Sequence, residues 1–147
     1  MKTVLCGVMI LALAFSSGLA VAQTAAASAE QAKAGVPDIS LADLKQAIAD
    51  KTVTLLDCNG SASYAKGHIP GAIDFETAKT ALADKLPKEK SALVVAYCGG
   101  PSCGAYKAGA EAATKLGYTN VKHFSGGLKG WKGSNEKLET AEASKEK

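Results

Sequence analysis

The sequence predicts an α/β domain built on a parallel sheet. Two observations carry this. Short apolar or β-branched runs alternate with segments of helical spacing along most of the chain. Residues 92–97, Ala-Leu-Val-Val-Ala-Tyr, are apolar at every position, which suits a strand covered by helices on both faces. The 147 residues suffice for one domain with short appendages. With 47% apolar and 21% charged residues the usage is ordinary for a globular chain, which argues against disorder or a collagen-like repeat. A net charge of +3 offers no broad electrostatic footprint for nucleic acid. All 17 basic residues are lysines, so bidentate guanidinium grips on phosphate or carboxylate are unavailable.

In chain order, Ser40 and Asp43 resemble a capping box before the helical set Leu41, Leu44, Ile48. Residues 52–56 are short, β-branched and apolar and read as a strand, ending at the turn cluster Asp57-Cys58-Asn59-Gly60. A short helix over 61–66 stops at Gly67. Ile69-Pro70-Gly71-Ala72-Ile73 gives a turn and then a short strand. Residues 77–86 have helical spacing and end before Pro87. The buried strand 92–97 leads through a loop to a helix from about 105 to 116, closed by Gly117. Residues 121–124 form another strand, and Gly126-Gly127 opens a last turn or helix through Trp131. No internal repeat is present.

The ends read differently. Lys2, an uncharged apolar run over 4–15, and the small-residue exit Ala20-Val21-Ala22 predict a secretory signal peptide over residues 1–22. The apolar run is shorter than the roughly 20 residues a membrane span needs. The expectation is therefore an exported chain, periplasmic or secreted, with no membrane attachment once the signal is cleaved. Cys6 would leave with it. Residues 23–36 are an alanine-rich linker, 37–133 the folded domain, and 134–147 a charged tail expected to be solvated. Cleavage leaves Cys58, Cys98 and Cys103, an odd count in a compartment that permits disulfides.

Ligands of parallel sheets bind beyond the carboxyl ends of the strands. Asp57-Cys58 and the loop opening at Cys98 occupy such places. In Cys98-Gly99-Gly100-Pro101-Ser102-Cys103-Gly104, the glycines allow backbone N–H groups to turn inward. The following helix aims its unpaired N–H groups and positive dipole end at the same point, which stabilises an anion. If that anion is the Cys98 thiolate, its nucleophilic fraction rises and catalysis through it is covalent.

Four stretches resemble the single-domain rhodanese family of sulfurtransferases. Leu55-Leu56-Asp57 is similar to its strand-end motif. Tyr64-Ala65-Lys66-Gly67-His68-Ile69-Pro70-Gly71-Ala72 matches its Y-x-x-G-H-I-P-G-A signature. Cys98 falls where the family has its catalytic cysteine. Leu116-Gly117-Tyr118-Thr119-Asn120-Val121, then Gly126-Gly127 and Trp131, match its C-terminal pattern. The resemblance implies a five-stranded parallel sheet flanked by helices. It implies that Cys98 takes sulfane sulfur from a small donor (polysulfide, persulfide or thiosulfate), becomes a persulfide and passes the sulfur to a thiol, cyanide or protein acceptor. Gly99, Gly100, Pro101, Ser102, Cys103 and Gly104 would form the substrate cradle, with no cofactor and no metal. Family members often carry arginine near the loop's end and just after the motif's aspartate. Here those places hold Cys103 and Asn59, which weakens the case for a dianion such as thiosulfate. The related phosphatases and arsenate reductases use a longer loop ending in arginine, which this chain lacks.

Other residues read less sharply. Cys103 is either a small residue at a helix start or a redox partner of Cys98. That second possibility leaves open a thiol–disulfide or persulfide redox protein, beside a non-catalytic sulfur- or partner-binding module. Cys58 reads as core packing, His68 as a turn-stabilising imidazole, His123 as a strand residue, and Trp131 as a core or rim residue. Lys107, one turn into the loop helix, could add positive potential.

Overall fold

The computed structural model describes residues 35–142. The expected signal peptide, Cys6, nearly all of the linker and the last five residues lie outside the described residues. The elements run α1 (Leu41–Ala49), β1 (Val53–Asp57), α2 (Ser61–Lys66), β2 (Ile73–Asp74), α3 (Phe75–Ala78), a 3₁₀ turn (Lys79–Ala81), α4 (Leu82–Lys85), β3 (Leu93–Tyr97), α5 (Tyr106–Lys115), β4 (Val121–Phe124) and α6 (Gly127–Gly133). Ser40 caps α1 as expected, accepting a hydrogen bond from the Asp43 N–H at 3.1 Å.

All strands pair in parallel, in the order β2-β1-β3-β4. The central position of β3 explains its unbroken apolar run. Alternate residues serve two cores, and Val94, Val95, Ala96 and Tyr97 are all fully buried. Val94 and Ala96 join Leu56, Val121, Ala110, Ala113 and Leu82 on the side of α4 and α5. Val95 and Tyr97 join Leu55, Leu44, Ile69, Phe124 and Trp131 on the side of α1 and α6.

Three expectations need correction. The sheet has four strands, not five. Where a fifth would lie, Asp38 makes a single parallel bridge beside β4. Ile39 N–H donates to His123 O and His123 N–H to Pro37 O, both at 2.8 Å. Pro37 has no N–H to extend the ladder, and Ser40 already caps α1, so the segment has no room to lengthen. Residues 77–86 do not form one helix. Asp74 caps α3 two residues earlier, and a tighter 3₁₀ turn separates it from α4. The spacing of Ala78, Leu82 and Leu86 fixed which side chains face the sheet, a demand that the broken path also meets.

The third correction concerns the tail, which is docked as far as Ala141 rather than solvated throughout. Trp131 Nε1–H donates to Lys137 O at 2.9 Å. His68 and Glu139 exchange backbone hydrogen bonds, each 2.9 Å, and the Gly71 N–H donates to the Glu139 carboxylate. Leu138 packs on the second core beside Gly67. Lys45 and Glu136 form an ion pair at 2.5 Å. The charges at 136, 137 and 139 disguise a segment that binds through its backbone, one leucine and the two glutamate carboxylates.

Gly109, inside α5, marks the closest approach of helix to sheet. A Cβ there would lie 2.7 Å from Cys58 Sγ and 3.6 Å from both Ala96 Cβ and Leu56 Cδ1. Gly109→Ala is therefore expected to destabilise the fold by about 1–3 kcal/mol. Adding Cys58→Ala should recover part of that loss, giving a non-additive double-mutant cycle in urea denaturation.

His123 stacks on Tyr106, ring centroids 3.3 Å apart, with Nδ1 3.9 Å from the Asp38 carboxylate and a buried, unpartnered Nε2. Burial pushes its pKa below the ordinary value, against a smaller opposing pull from Asp38. The folded state thus favours neutral imidazole, and the unfolded chain takes up the proton first as pH falls. This stability is present above about 6.5 and is lost below it. His123→Phe, which keeps an aromatic ring against Tyr106, should flatten the dependence of unfolding free energy on pH in that window.

Candidate functional site

The site begins with how the end of β3 is fixed. Asp57, fully buried at the end of β1, accepts the Tyr97 hydroxyl at 2.7 Å and both the backbone N–H and the side-chain amide of Asn59 at 2.7 Å. The Tyr97 hydroxyl oxygen in turn accepts the Ile69 N–H at 3.0 Å. Burial, reinforced by the Asp57 charge, drives the Tyr97 pKa far above the tyrosine range, so the hydroxyl stays a donor. This chain of bonds ties the ends of β1 and β3 to the Gly67-His68-Ile69 turn. Cys98 is the next residue after Tyr97.

Cys98 is 1% exposed and opens the loop. The start of α6 anchors the loop from one side. Leu128 N–H donates to Cys98 O at 2.8 Å and Lys129 N–H to Gly99 O at 3.0 Å. Both peptides are trans, so fixing these carbonyls toward α6 turns the N–H groups of Gly99 and Gly100 the other way. Gly127 makes this approach possible. Its φ is +55°, and a Cβ would collide with Cys98 O and lie 2.6 Å from Gly100 N. On the other side of the loop, Cys103 N–H donates to Gly100 O at 3.0 Å, closing a turn, and α5 follows. That N–H is engaged within the loop and does not serve as an inward cradle donor.

Cys98 and Cys103 are paired as a disulfide, Cα atoms 6.3 Å apart, and the Cys103 carbonyl oxygen lies 3.2 Å from Cys98 Sγ. Cys58 lies outside this pair. Its N–H donates to Tyr97 O at 2.9 Å, but its thiol packs over Gly109 in the α4–α5 core. Burial pushes the Cys58 thiol up to about 12, an inert packing group.

Asn59 and Lys129 border the loop glycines. Asn59 Oδ1 lies 3.5 Å from where a Gly99 Cβ would stand, and Lys129 Cβ is 3.5 Å from the equivalent point at Gly100. Lys129 is a residue bordering the loop, its aliphatic stem against Gly100, that sequence reasoning missed. Its only sequence signal is a place two residues beyond Gly127, whose meaning depends on α6 docking here. His68 is fully buried, with Nδ1 2.8 Å from Tyr64 O and its ring stacked 3.6 Å from that of Tyr64, which holds the turn as expected. Trp131 is a core residue. Among the described residues, no group of three or more His, Cys, Asp or Glu side chains is placed to hold a metal ion.

A parallel α/β sheet with a cysteine at the end of its central strand, followed by a glycine-rich loop and a helix, defines a class of cysteine-loop proteins. The Rhodanese-like domain family model matches residues 40–134, and the chain belongs to that family. Among solved structures, the BH2092 protein of Bacillus halodurans is similar at 25% identity, with 78% of this chain and 85% of that one covered and a TM-score of 0.57. The human single-domain sulfurtransferase TSTD1 is also 25% identical, over 67% of this chain and 97% of that one, with a TM-score of 0.53. Thiosulfate sulfurtransferase from Pseudomonas aeruginosa shares the fold at 21% identity and a TM-score of 0.61; 82% of this chain matches 23% of that longer one.

The contact at Gly127 generates a prediction. Gly127→Ala should displace the loop from α6, costing about 1–3 kcal/mol of stability. It should also slow alkylation of Cys98 in the reduced protein by roughly 10–100-fold, since the loop no longer holds its N–H groups in place. Urea denaturation and iodoacetamide kinetics check the two parts separately.

Proposed function

We propose that this protein is an exported sulfurtransferase whose Cys98 carries sulfane sulfur as a persulfide. The observation that supports this most is the placement of Cys98, at the end of the central strand and the start of a loop whose Gly99 and Gly100 N–H groups are turned away from α6. In the reduced form, the Cys98 thiolate attacks the outer sulfur of a donor R–S–S⁻. The donor S–S bond breaks, RS⁻ leaves, and Cys98–S–S⁻ forms. An acceptor thiolate or cyanide then attacks the terminal sulfur and regenerates the Cys98 thiolate. Backbone N–H groups stabilise the anion at each stage. The export reading rests on the sequence of residues 1–22. The Cys98–Cys103 pairing supports a second reading beside it, a thiol–disulfide or persulfide redox protein.

Cys98→Ser should abolish sulfur loading, because a serine hydroxyl forms no stable persulfide. Intact mass after polysulfide treatment of reduced protein, before and after cyanide, checks this. Cyanide-labile sulfur at wild-type stoichiometry in the variant would overturn the assignment.

Polysulfide should be a better donor than thiosulfate. The chain has no arginine, Asn59 at the loop presents a neutral amide already committed to Asp57, and Cys103 stands where the loop would otherwise offer a guanidinium. Backbone N–H groups and one nearby lysine compensate a free dianion poorly for its lost hydration. Steady-state rates at matched concentrations decide it, and a clear preference for thiosulfate would sink the idea.

A further inference from the structure

We infer that the oxidised loop is a sulfide acceptor: hydrosulfide opens the Cys98–Cys103 disulfide at Cys103 and becomes the sulfane sulfur of a protein persulfide. This rests on the reading above, in which Cys98 is the residue that carries sulfane sulfur. It adds a second substrate class, inorganic sulfide, for which a single-cysteine loop has no oxidising equivalents.

Three features converge on it. The first is the disulfide itself, which holds the two electrons' worth of oxidation that sulfide must lose. The second is a difference in access. Cys98 is 1% exposed, whereas Cys103 is only part-buried and sets its sulfur and its carbonyl oxygen against Cys98 Sγ. A nucleophile arriving from solvent meets Cys103 first. The third is the leaving group. Attack on Cys103 expels the Cys98 thiolate, which heads a loop whose Gly99 and Gly100 N–H groups are turned away from α6 and which runs on into α5. Thiol–disulfide exchange runs faster when the departing thiolate is the better stabilised one. Cys58 does not compete, since its thiol is packed over Gly109 and pushed up to about 12.

The steps balance. HS⁻ attacks Cys103 Sγ, the Cys98–Cys103 bond breaks, and the products are Cys103–S–SH and Cys98–S⁻. The Cys98 thiolate then attacks the terminal sulfur of Cys103–S–SH. This yields Cys98–S–SH and Cys103–S⁻. Sulfide has been oxidised and the cysteine pair reduced by the same two electrons, so one loading event needs no outside oxidant; a further round needs the dithiol reoxidised by an external disulfide. Run backwards, the same steps release sulfide from a loaded Cys98 and restore the disulfide.

The test uses the chain from residue 23 onward, oxidised until its intact mass shows loss of two hydrogens, then treated anaerobically with sodium sulfide. The expected result is a gain of one H₂S per chain, with cyanide then removing one sulfur to leave the dithiol mass. Iodoacetamide trapping at short times should find the persulfide on Cys103 and a plain thiol on Cys98, and at longer times the persulfide on Cys98. Reduced wild type and Cys103→Ser should gain nothing from sulfide. Reduced wild type should still load from polysulfide. Failure of that last arm counts against the sulfurtransferase reading, separately from the sulfide result. Oxidised protein that lacks the disulfide, gains no H₂S, or carries its earliest persulfide on Cys98 overturns the inference.

Discussion

The buried hydrogen bond between Tyr97 and Asp57 is the constraint on which the rest of the site depends. An ionised carboxylate away from water needs donors, and this one has three: the Tyr97 hydroxyl and the two Asn59 N–H groups. Because Tyr97 also accepts the Ile69 N–H, one side chain locks together the ends of two strands and the turn beneath them. Cys98 inherits its position from that lock. A strand end held only by apolar packing could slide or fray; one held by a charge that must be satisfied has a single arrangement.

The loop after Cys98 is held from α6 as much as from its own sequence. The N–H groups of Leu128 and Lys129 take the carbonyls of Cys98 and Gly99, so the first turn of one helix satisfies its own donors by orienting the loop. Gly127 makes room for that contact. The docked segment after Trp131 supports the same side of the molecule, joining α6 to the His68–Gly71 turn through Lys137 and Glu139. The turn, the strand end, the loop and the C-terminal segment thus form one connected set of hydrogen bonds around Cys98.

The three cysteines of the domain show how environment divides one chemistry into separate duties. Cys58 and Cys98 follow neighbouring strands, yet the first has its thiol packed under a helix and held protonated, while the second is joined to a partner five residues on. The division follows from Gly109. A side chain there would collide with Cys58, so the bare helix backbone lies over that sulfur and keeps solvent from it. Cys103 has no such cover and remains within reach of outside nucleophiles.

The sequence by itself determined the α/β class, the central buried strand, most element boundaries and the place of Cys98 between that strand and a glycine-rich loop. Those features are local: an apolar run, a cap, a glycine after a helix, a cysteine before a glycine-rich loop. The break in residues 77–86 and the single bridge at Asp38 were not legible, because spacing says which side chains face the core and not what backbone path takes them there. The docking of the charged tail was hidden because its backbone groups, Leu138 and the carboxylates of Glu136 and Glu139 bind partners remote in sequence, and a run of charges reads locally as a solvated segment. Only the tertiary structure decided that Cys103 pairs with Cys98, that the Cys58 thiol packs under α5, and that Lys129 stands beside the loop. Each depends on a distance between elements that are remote in sequence or free to turn, and composition and spacing carry no information about such distances.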